Sequence, residues 1–310
     1  EDSKTLDEVV VVGFGTQKKV NLTGAVTSVD TKALASRPVS QVGQALQGVV
    51  PGLNLSTPDL GGQLGQTMNV NIRGTGTIGK GSSASPLILI DGMEGNMNNL
   101  NPEDIENISV LKDAASSSIY GSRAAFGVIL ITTKKGKAGK MQVNYNNSFR
   151  YSGPTSLPNQ LDSYRFANYF NDAAINQGGS VIFDEETIDR IQKYMAGEIT
   201  TTTIANGTNW HFHEKANDNV NWWKKHFQWA WSNEHNISLN GGTEKLQYYV
   251  SGSYLNQDGN LRYGNDNYKR YNATAKVNTQ INKYVDFNIN TKFVRFDLDN
   301  PVYLEEGGLL

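Results

Sequence analysis

From residue 141 onward, polar and apolar side chains alternate one residue at a time, in segment after segment. In "VNYNNSFRY", Val143, Tyr145, Phe149 and Tyr151 share one face, interrupted by Asn147, while Asn144, Asn146, Ser148 and Arg150 share the other. "HNISLN" sets Ile237 and Leu239 against Asn236, Ser238 and Asn240. "LQYYVSGSYLNQ" sets Leu246, Tyr248, Val250 and Tyr254 against Gln247, Tyr249, Ser251 and Ser253. "RYNATAKVNTQIN" and "VDFNINTKF" repeat the pattern, with Asn272, Thr274, Lys276, Asn288, Asn290 and Lys292 on the polar side. A period of two is that of a β-strand, so the spacing predicts an antiparallel sheet with one strongly polar face. Such a face is poor material for a sandwich core, where apolar inner faces interdigitate. A soluble sheet with one wet face and the wall of a membrane barrel with a polar lumen both remain open.

The connections favour the barrel. "GGTEK" (Gly241–Lys245) and "NKY" (Asn282–Tyr284) are short, "DGNLRYGND" is longer, and Ser152 to Asn233 is very long. Short turns on one rim and long loops on the other are the habit of outer-membrane barrels, and Tyr and Phe near strand ends suit interfacial girdles. Five strands cannot close such a barrel, which needs at least about 8. The chain is therefore expected to be the N-terminal part of a longer polypeptide.

Composition removes several classes of function. The 310 residues carry a net charge of -2, so no global basic field attracts nucleic acid. No run of 18 apolar residues marks a transmembrane helix, which leaves a β-barrel untouched. With no cysteine there are no disulfides, thiolate nucleophiles or cysteine-held zinc. The start "EDSKTLDE" lacks a signal pattern and reads as a processed end.

The first half reads as a small α+β domain. Strands are expected in "GAVTSVD" (Gly24–Asp30), "MNVNIRG" (Met68–Gly74), "PLILIDG" (Pro86–Gly92), "NISVLK" (Asn107–Lys112) and "FGVILITTK". "VSQVGQALQGVVPG" has helical spacing and a Gly-Pro-Gly stop. Asp91-Gly92 marks a tight turn. Asn101 and Pro102 mark a helix start. "DAASSSIYG" reads as a helix capped by Asp113 and ended by Gly121. The run Val9–Val12 is either a buried strand before a glycine turn or an extended segment that adds to another protein's sheet edge.

Chemical motifs are weak. Gly13 and Gly15 are followed by Lys18 where a dinucleotide fingerprint needs a third glycine, and Gly136-Lys137 is followed by Ala138 rather than Ser or Thr. Ser116, Ser117 and Ser118 lack the glycines of a nucleophile elbow. His211 and His213 lie two apart and with Glu214 suggest a metal site, but two histidines with no fixed third ligand are more often surface residues, so none is assigned. All five tryptophans fall between Trp210 and Trp231. Trp210, Trp222 and Trp223 are candidates for stacking on sugar rings, although such residues more often anchor a loop to its own scaffold. No catalytic residue and no cofactor is expected.

In order along the chain, "LDEVVVVGFGTQKK", "GQALQGVVPGL", "IRGTG", "PLILIDGMEG", "NPEDIENISVLKDAASSSIYGSRAAFGVILITTKKGK" and "HNISLNGGTEKLQYYVSGSYLNQDG" resemble the SusC/RagA family of TonB-dependent outer-membrane transporters of Bacteroidota. Phe126, where many relatives are polar, and "LILIDGMEG" in place of "LYVIDGV" are departures within the family's range. The resemblance implies a plug inside a barrel of about 22 strands, of which this chain holds the first five. It implies a Ton box and linker over 1–20, a plug over 21–140 and barrel strands with extracellular loops over 141–310. Leu6, Asp7, Glu8, Val9, Val10, Val11 and Val12 match the Ton box, and Lys134–Gly136 becomes the exit from plug to barrel. The implied function is energised import of oligosaccharides or oligopeptides. The implied partners are TonB with ExbB and ExbD, a SusD-like lipoprotein lid, outer-membrane lipid and a second transporter–lipoprotein pair. A signalling receptor and a non-transporting surface-binding protein are the alternatives.

Overall fold

The computed structural model describes residues 9–12, 15–18, 26–29, 37, 39–57, 63–72, 74, 85–113, 117–206 and 213–300. The chain divides into two compact units, and one of them contains both the first half and the alternating strands.

In the first half, β1 (Val9–Val12) and β2 (Gly15–Lys18) form a two-stranded antiparallel ladder running from Val9↔Lys18 to Val12↔Gly15. The main sheet has the order β3-β8-β9-β6-β7, with β3 at Val26–Val29, β6 at Leu87–Ile90, β7 at Met93–Glu94, β8 at Ile105–Leu111 and β9 at Val128–Thr133. β6 and β9 are parallel and the other neighbours are antiparallel. β4 (Leu53–Ser56) and β5 (Asn69–Ile72) form a separate hairpin-like pair.

The continuous apolar run in β9 follows from burial on both faces. Ile129 and Ile131 join a core with Val42, Leu46, Met97, Ile105 and Ile108. Val128 and Leu130 pack on the opposite side with Leu87, Leu89, Leu111 and Ala124. Each of these Val, Leu, Ile and Met side chains contributes about 1.5–3 kcal/mol by leaving water.

Three local expectations change in detail. The helix expected in "VSQVGQALQGVVPG" is only α1 (Val42–Leu46), because Gly48 and Gly52 both turn left-handed, at φ 74° and 78°. Asn101 caps as expected, accepting from Glu103 N at 3.1 Å, yet Pro102–Asp104 is a single 3-10 turn before β8 begins. Gly121, at φ 70°, breaks the helical path where expected, but a second short piece follows it within the 3-10 range Ser118–Ala124, and residues 114–116 lie outside the described residues.

The five alternating segments are five strands in a consecutive antiparallel meander, β10-β13-β14-β15-β16. β10 spans Gly139–Ser152, β13 Ala230–Gly242, β14 Leu246–Asp258, β15 Asn267–Asn282 and β16 Val285–Asp299. These strands exceed the about 9–11 residues that a tilted strand needs to cross a bilayer.

Burial is inverted relative to a soluble sheet. Val143, Phe149, Ile237, Val250, Phe287, Ile289 and Phe293 are exposed, whereas Glu234, Tyr249, Ser251, Arg270, Thr274 and Lys276 are buried beneath the first-half domain. Asn147, which interrupts the apolar face, lies 2.6 Å from His235 Nδ1, and that nitrogen is 2.7 Å from the Tyr145 hydroxyl. The outward polar groups thus satisfy one another.

The second unit comprises 152–230 with 260–264, and its short strands β11 (Ile204–Ala205) and β12 (His213–Glu214) pair antiparallel. Two helices form there, α2 (Ser163–Asn176) and α3 (Glu185–Met195), capped by Asp162 and Asp184 at 2.8 and 2.9 Å. Asn171, buried on α2, holds the backbone of Ile182 and Phe183 by three hydrogen bonds. Lys215 pairs with Asp184 and Glu186 in front of α3. The hydrogen bond from Lys215 holds the Asp184 carboxyl well below the usual carboxylate range.

Gly136 lies where the chain leaves the first-half domain. A Cβ there would sit 2.7 Å from the backbone carbon of Gln247, 2.8 Å from that of Tyr248 and closer still to the Tyr248 nitrogen. Backbone cannot move aside as a side chain can, so Gly136→Ala is expected to destabilise the full-length protein by about 1–3 kcal/mol. Denaturant titration of the purified protein measures this, and an unchanged midpoint would show that the crossing is loose.

Candidate functional site

Fourteen residues of the first-half domain, "DGMEGNMNNLNPED" from Asp91 to Asp104, supply most of its polar contacts with the strand wall. The segment starts in a two-residue turn between β6 and β7, where Ile90 pairs with Met93. Asp91 and Gly92 have φ 51° and 88°, the left-handed pair that a tight hairpin requires and that Asp-Gly supplies.

This turn aims the Asp91 carboxylate at the wall. Oδ1 accepts from Thr133 N at 2.9 Å, which ties it to β9. Oδ2 accepts from Thr133 Oγ1 at 2.7 Å, from Lys292 Nζ at 2.6 Å, from Lys276 Nζ at 3.0 Å and from Asn290 Nδ2 at 3.1 Å. Lys276 also donates to Thr133 O at 3.1 Å. Burial alone would raise the Asp91 carboxyl, but hydrogen bonds from Lys292 and Thr133 and the charge of Lys276 outweigh it and hold it well below the usual range.

Further along, Arg270 Nη1 donates to Asn98 O at 3.4 Å and Asn272 Nδ2 to Asn99 O at 2.7 Å. Arg270 is 1% exposed and shares Glu234 with Arg150, at 3.5 and 2.8 Å. Asn101 Nδ2 donates to Asn236 Oδ1 at 2.6 Å, and Asn146 Nδ2 to Glu103 Oε1 at 2.8 Å. The buried Asp104 accepts from the Tyr249 hydroxyl at 2.8 Å and from Thr274 Oγ1 at 3.3 Å. Two polar clefts of about 320 and 390 Å³ flank this last contact, lined in part by Lys134, Asn144 and Ser238. One small apolar contact completes the interface, Leu64 against Leu255 and Tyr268.

Other sequence candidates lie elsewhere. Leu6, Asp7 and Glu8 are outside the described residues, while Val9–Val12 form β1 and are paired with Gly15–Lys18. The Val run is therefore extended, but its own chain already satisfies one edge. Trp210 and His211 are also outside the described residues, as is the side chain of His213, whose backbone pairs with Ala205. Trp222 and Trp223 begin α4 (Trp222–His226) in the second unit, 53% and 37% exposed. Trp222 stacks on His226 at 5.5 Å and Trp223 on Phe227 at 5.9 Å, so one face of each ring is already used internally. Among the described residues, no group of three His, Cys, Asp or Glu side chains could hold a metal ion.

Sequence reasoning saw Asp91 only as a turn residue and missed its partners. The available signal was Lys276 and Lys292, two cations on polar strand faces otherwise built largely of Asn and Thr.

Residues 18–128 match the family model described as the TonB-dependent receptor plug domain. TonB-dependent receptor SusC of Bacteroides thetaiotaomicron is 32% identical over 308 residues, covering 95% of this chain and 27% of the relative. TonB-dependent receptor P39 of Formosa agariphila is 33% identical over 288 residues, covering 91% of this chain and 24% of the relative. The chain thus spans about a quarter of the length of these relatives. The structure of the RagAB peptide importer in the 'open-open' state superposes with a TM-score of 0.74 at 29% identity, covering 97% of this chain and 34% of that one.

Asp91→Asn keeps the turn and the size of the side chain but removes its charge. Breaking one partner out of a buried ion pair costs about 3–5 kcal/mol, so faster hydrogen exchange is expected over β6, β7 and the C-terminal end of β9 in the full-length protein. The Asp91 carboxyl is depressed in the folded state, so its contribution is fully present above the unfolded carboxylate pKa of about 3.9 and is lost only as pH falls through the lower folded value. Exchange protection from this contact is therefore expected to be flat from neutral pH down to about 5. A loss of protection near neutral pH would show that another group controls it.

Proposed function

Since this chain is the N-terminal portion of a SusC/RagA-type TonB-dependent receptor, with a plug domain followed by the first antiparallel strands of the barrel, we propose that the whole protein imports oligomeric nutrient across the outer membrane. The observation that carries this reading is the inverted sheet. Its outward face is apolar and its buried face is polar, and a folded domain docks on the polar side through hydrogen bonds. An apolar exterior suits lipid, and a polar seam suits a plug that must separate from its wall without exposing a greasy core to water.

In this reading Leu6–Val12 are the segment that TonB, energised by ExbB and ExbD, captures by strand addition. Because Val9–Val12 pair with Gly15–Lys18 on one edge, capture uses the other edge or displaces β2. The plug occupies 21–140 and the wall begins at 141. The long segment from 152 to 233 faces outward and meets a SusD-like lipoprotein that closes over the barrel, with two such pairs associating. Trp210, Trp222 and Trp223 are its candidate cargo contacts. Oligopeptides and oligosaccharides are the two cargo classes, and the work is transport with no bond made or broken in the cargo.

Two variants test the halves of this reading. Val10→Pro removes one backbone donor and fixes one dihedral, which disrupts strand pairing. It is expected to abolish growth on the cognate oligomer while surface abundance and surface binding stay normal, and uptake at the wild-type rate would remove the Val run from the mechanism. Phe293→Arg places a charge on the outward face near the middle of β16, where Phe293 is 58% exposed. In a bilayer it is expected to cost roughly 2–4 kcal/mol, read from folding of the full-length protein into lipid vesicles. A neutral or favourable effect would place that face in water.

A further inference from the structure

Lys276 and Lys292 project from adjacent strands into one spot, which is set by register: Lys276 lies opposite Asn290, and Lys292 opposite Thr274. Their side chains are 5% and 23% exposed, and Asp91 at 11% is the one carboxylate paired with either of them among the described residues. All three wall donors, Lys276, Lys292 and Asn290, converge on the same oxygen, Asp91 Oδ2. Two cations against one carboxylate leave a positive surplus, and without Asp91 two like charges would face each other in a partly buried place. Two converging ammonium groups and an amide donor form an anion site before any anion arrives.

We infer that the barrel wall carries a carboxylate-binding site of its own, formed by Lys276, Lys292 and Asn290, and that the plug's Asp91 is its resident ligand. When the plug turn leaves, the wall presents a cationic station for a carboxylate in the lumen. This second step rests on the transport reading, whereas the site itself does not. The donors belong to the wall and the acceptor to the plug, so the ligand can be exchanged while the receptor stays in place.

Asp91→Gly on the full-length protein separates a ligand site from ordinary packing. Glycine adopts the φ of 51° at this position without strain, so the turn survives while the carboxylate goes. Amide exchange over 87–94 is expected to accelerate by roughly a hundredfold or more. Sodium formate is then expected to restore protection in a saturable manner, whereas sodium chloride at equal ionic strength restores far less. Adding Lys292→Met to Asp91→Gly is expected to abolish the formate effect. Formate and chloride acting alike, or rescue that persists without Lys292, would overturn the site. Should Asp91→Gly fail to accumulate, refolding with either salt makes the same comparison. Folded protein recovered with formate alone supports the site, and equal recovery with both salts, or none with either, overturns it. Transport plays no part in these measurements, so their failure would leave the import reading standing.

Discussion

The contact between the segment 91–104 and the strand wall governs the rest of this molecule. Because the wall turns its apolar face outward, little beyond Leu255 and Tyr268 is left on the inside for apolar packing, and the plug is held mainly by polar groups. The sequence answers with a stretch rich in Asn, Asp and Glu, bent by a left-handed turn at Asp91-Gly92 and by two 3-10 turns, after Asn96 and after Asn101. Its side chains and carbonyls meet Lys, Arg, Asn, Thr and Tyr from all five strands of the wall.

Such an interface is specific without being adhesive. A net hydrogen bond contributes only about 0.5–1.5 kcal/mol, because water makes an equivalent bond when the partners part. An apolar seam of similar extent would hold by about 25 cal/mol for each Å² withdrawn from water. The polar clefts beside the Asp104–Tyr249 bond have room for solvent to take over the freed groups. The plug's own core, in contrast, is built from Ile, Leu and Val buried on both faces of β9. Cohesion within the domain and cohesion with the wall therefore have different physical origins.

Much of this was legible from residue patterns. The five strands and their polar and apolar faces follow from alternation alone, since side chains on a strand can point only two ways. Asn147, an apparent flaw in the apolar face, is explained by His235 on the next strand, a partner that no local pattern could identify. Asp91-Gly92 announced its turn, but the two lysines it meets are about two hundred residues away, and pairing at that distance is decided by tertiary register. The short α1 misled because apolar spacing persists through Gly48 and Gly52 after the backbone has already turned left-handed. Val9–Val12 left two readings open, and the ladder with Gly15–Lys18 agrees with the first as far as it names a strand followed by a return of the chain, without bearing on capture by another protein.

The tight crossing at Gly136 has a mechanical consequence. β3 and β9 both run antiparallel to β8, so they are parallel to each other, and the domain's first main-sheet strand and its exit strand begin at the same end of the sheet. Tension drawn between residue 26 and the pinned exit at residue 136 therefore acts lengthwise along the strands. Lengthwise load is shared by the β3–β8 bonds together, as in a lap joint, instead of being met one bond at a time as in a zip. A domain strung in this way resists being unravelled by a pull along that line.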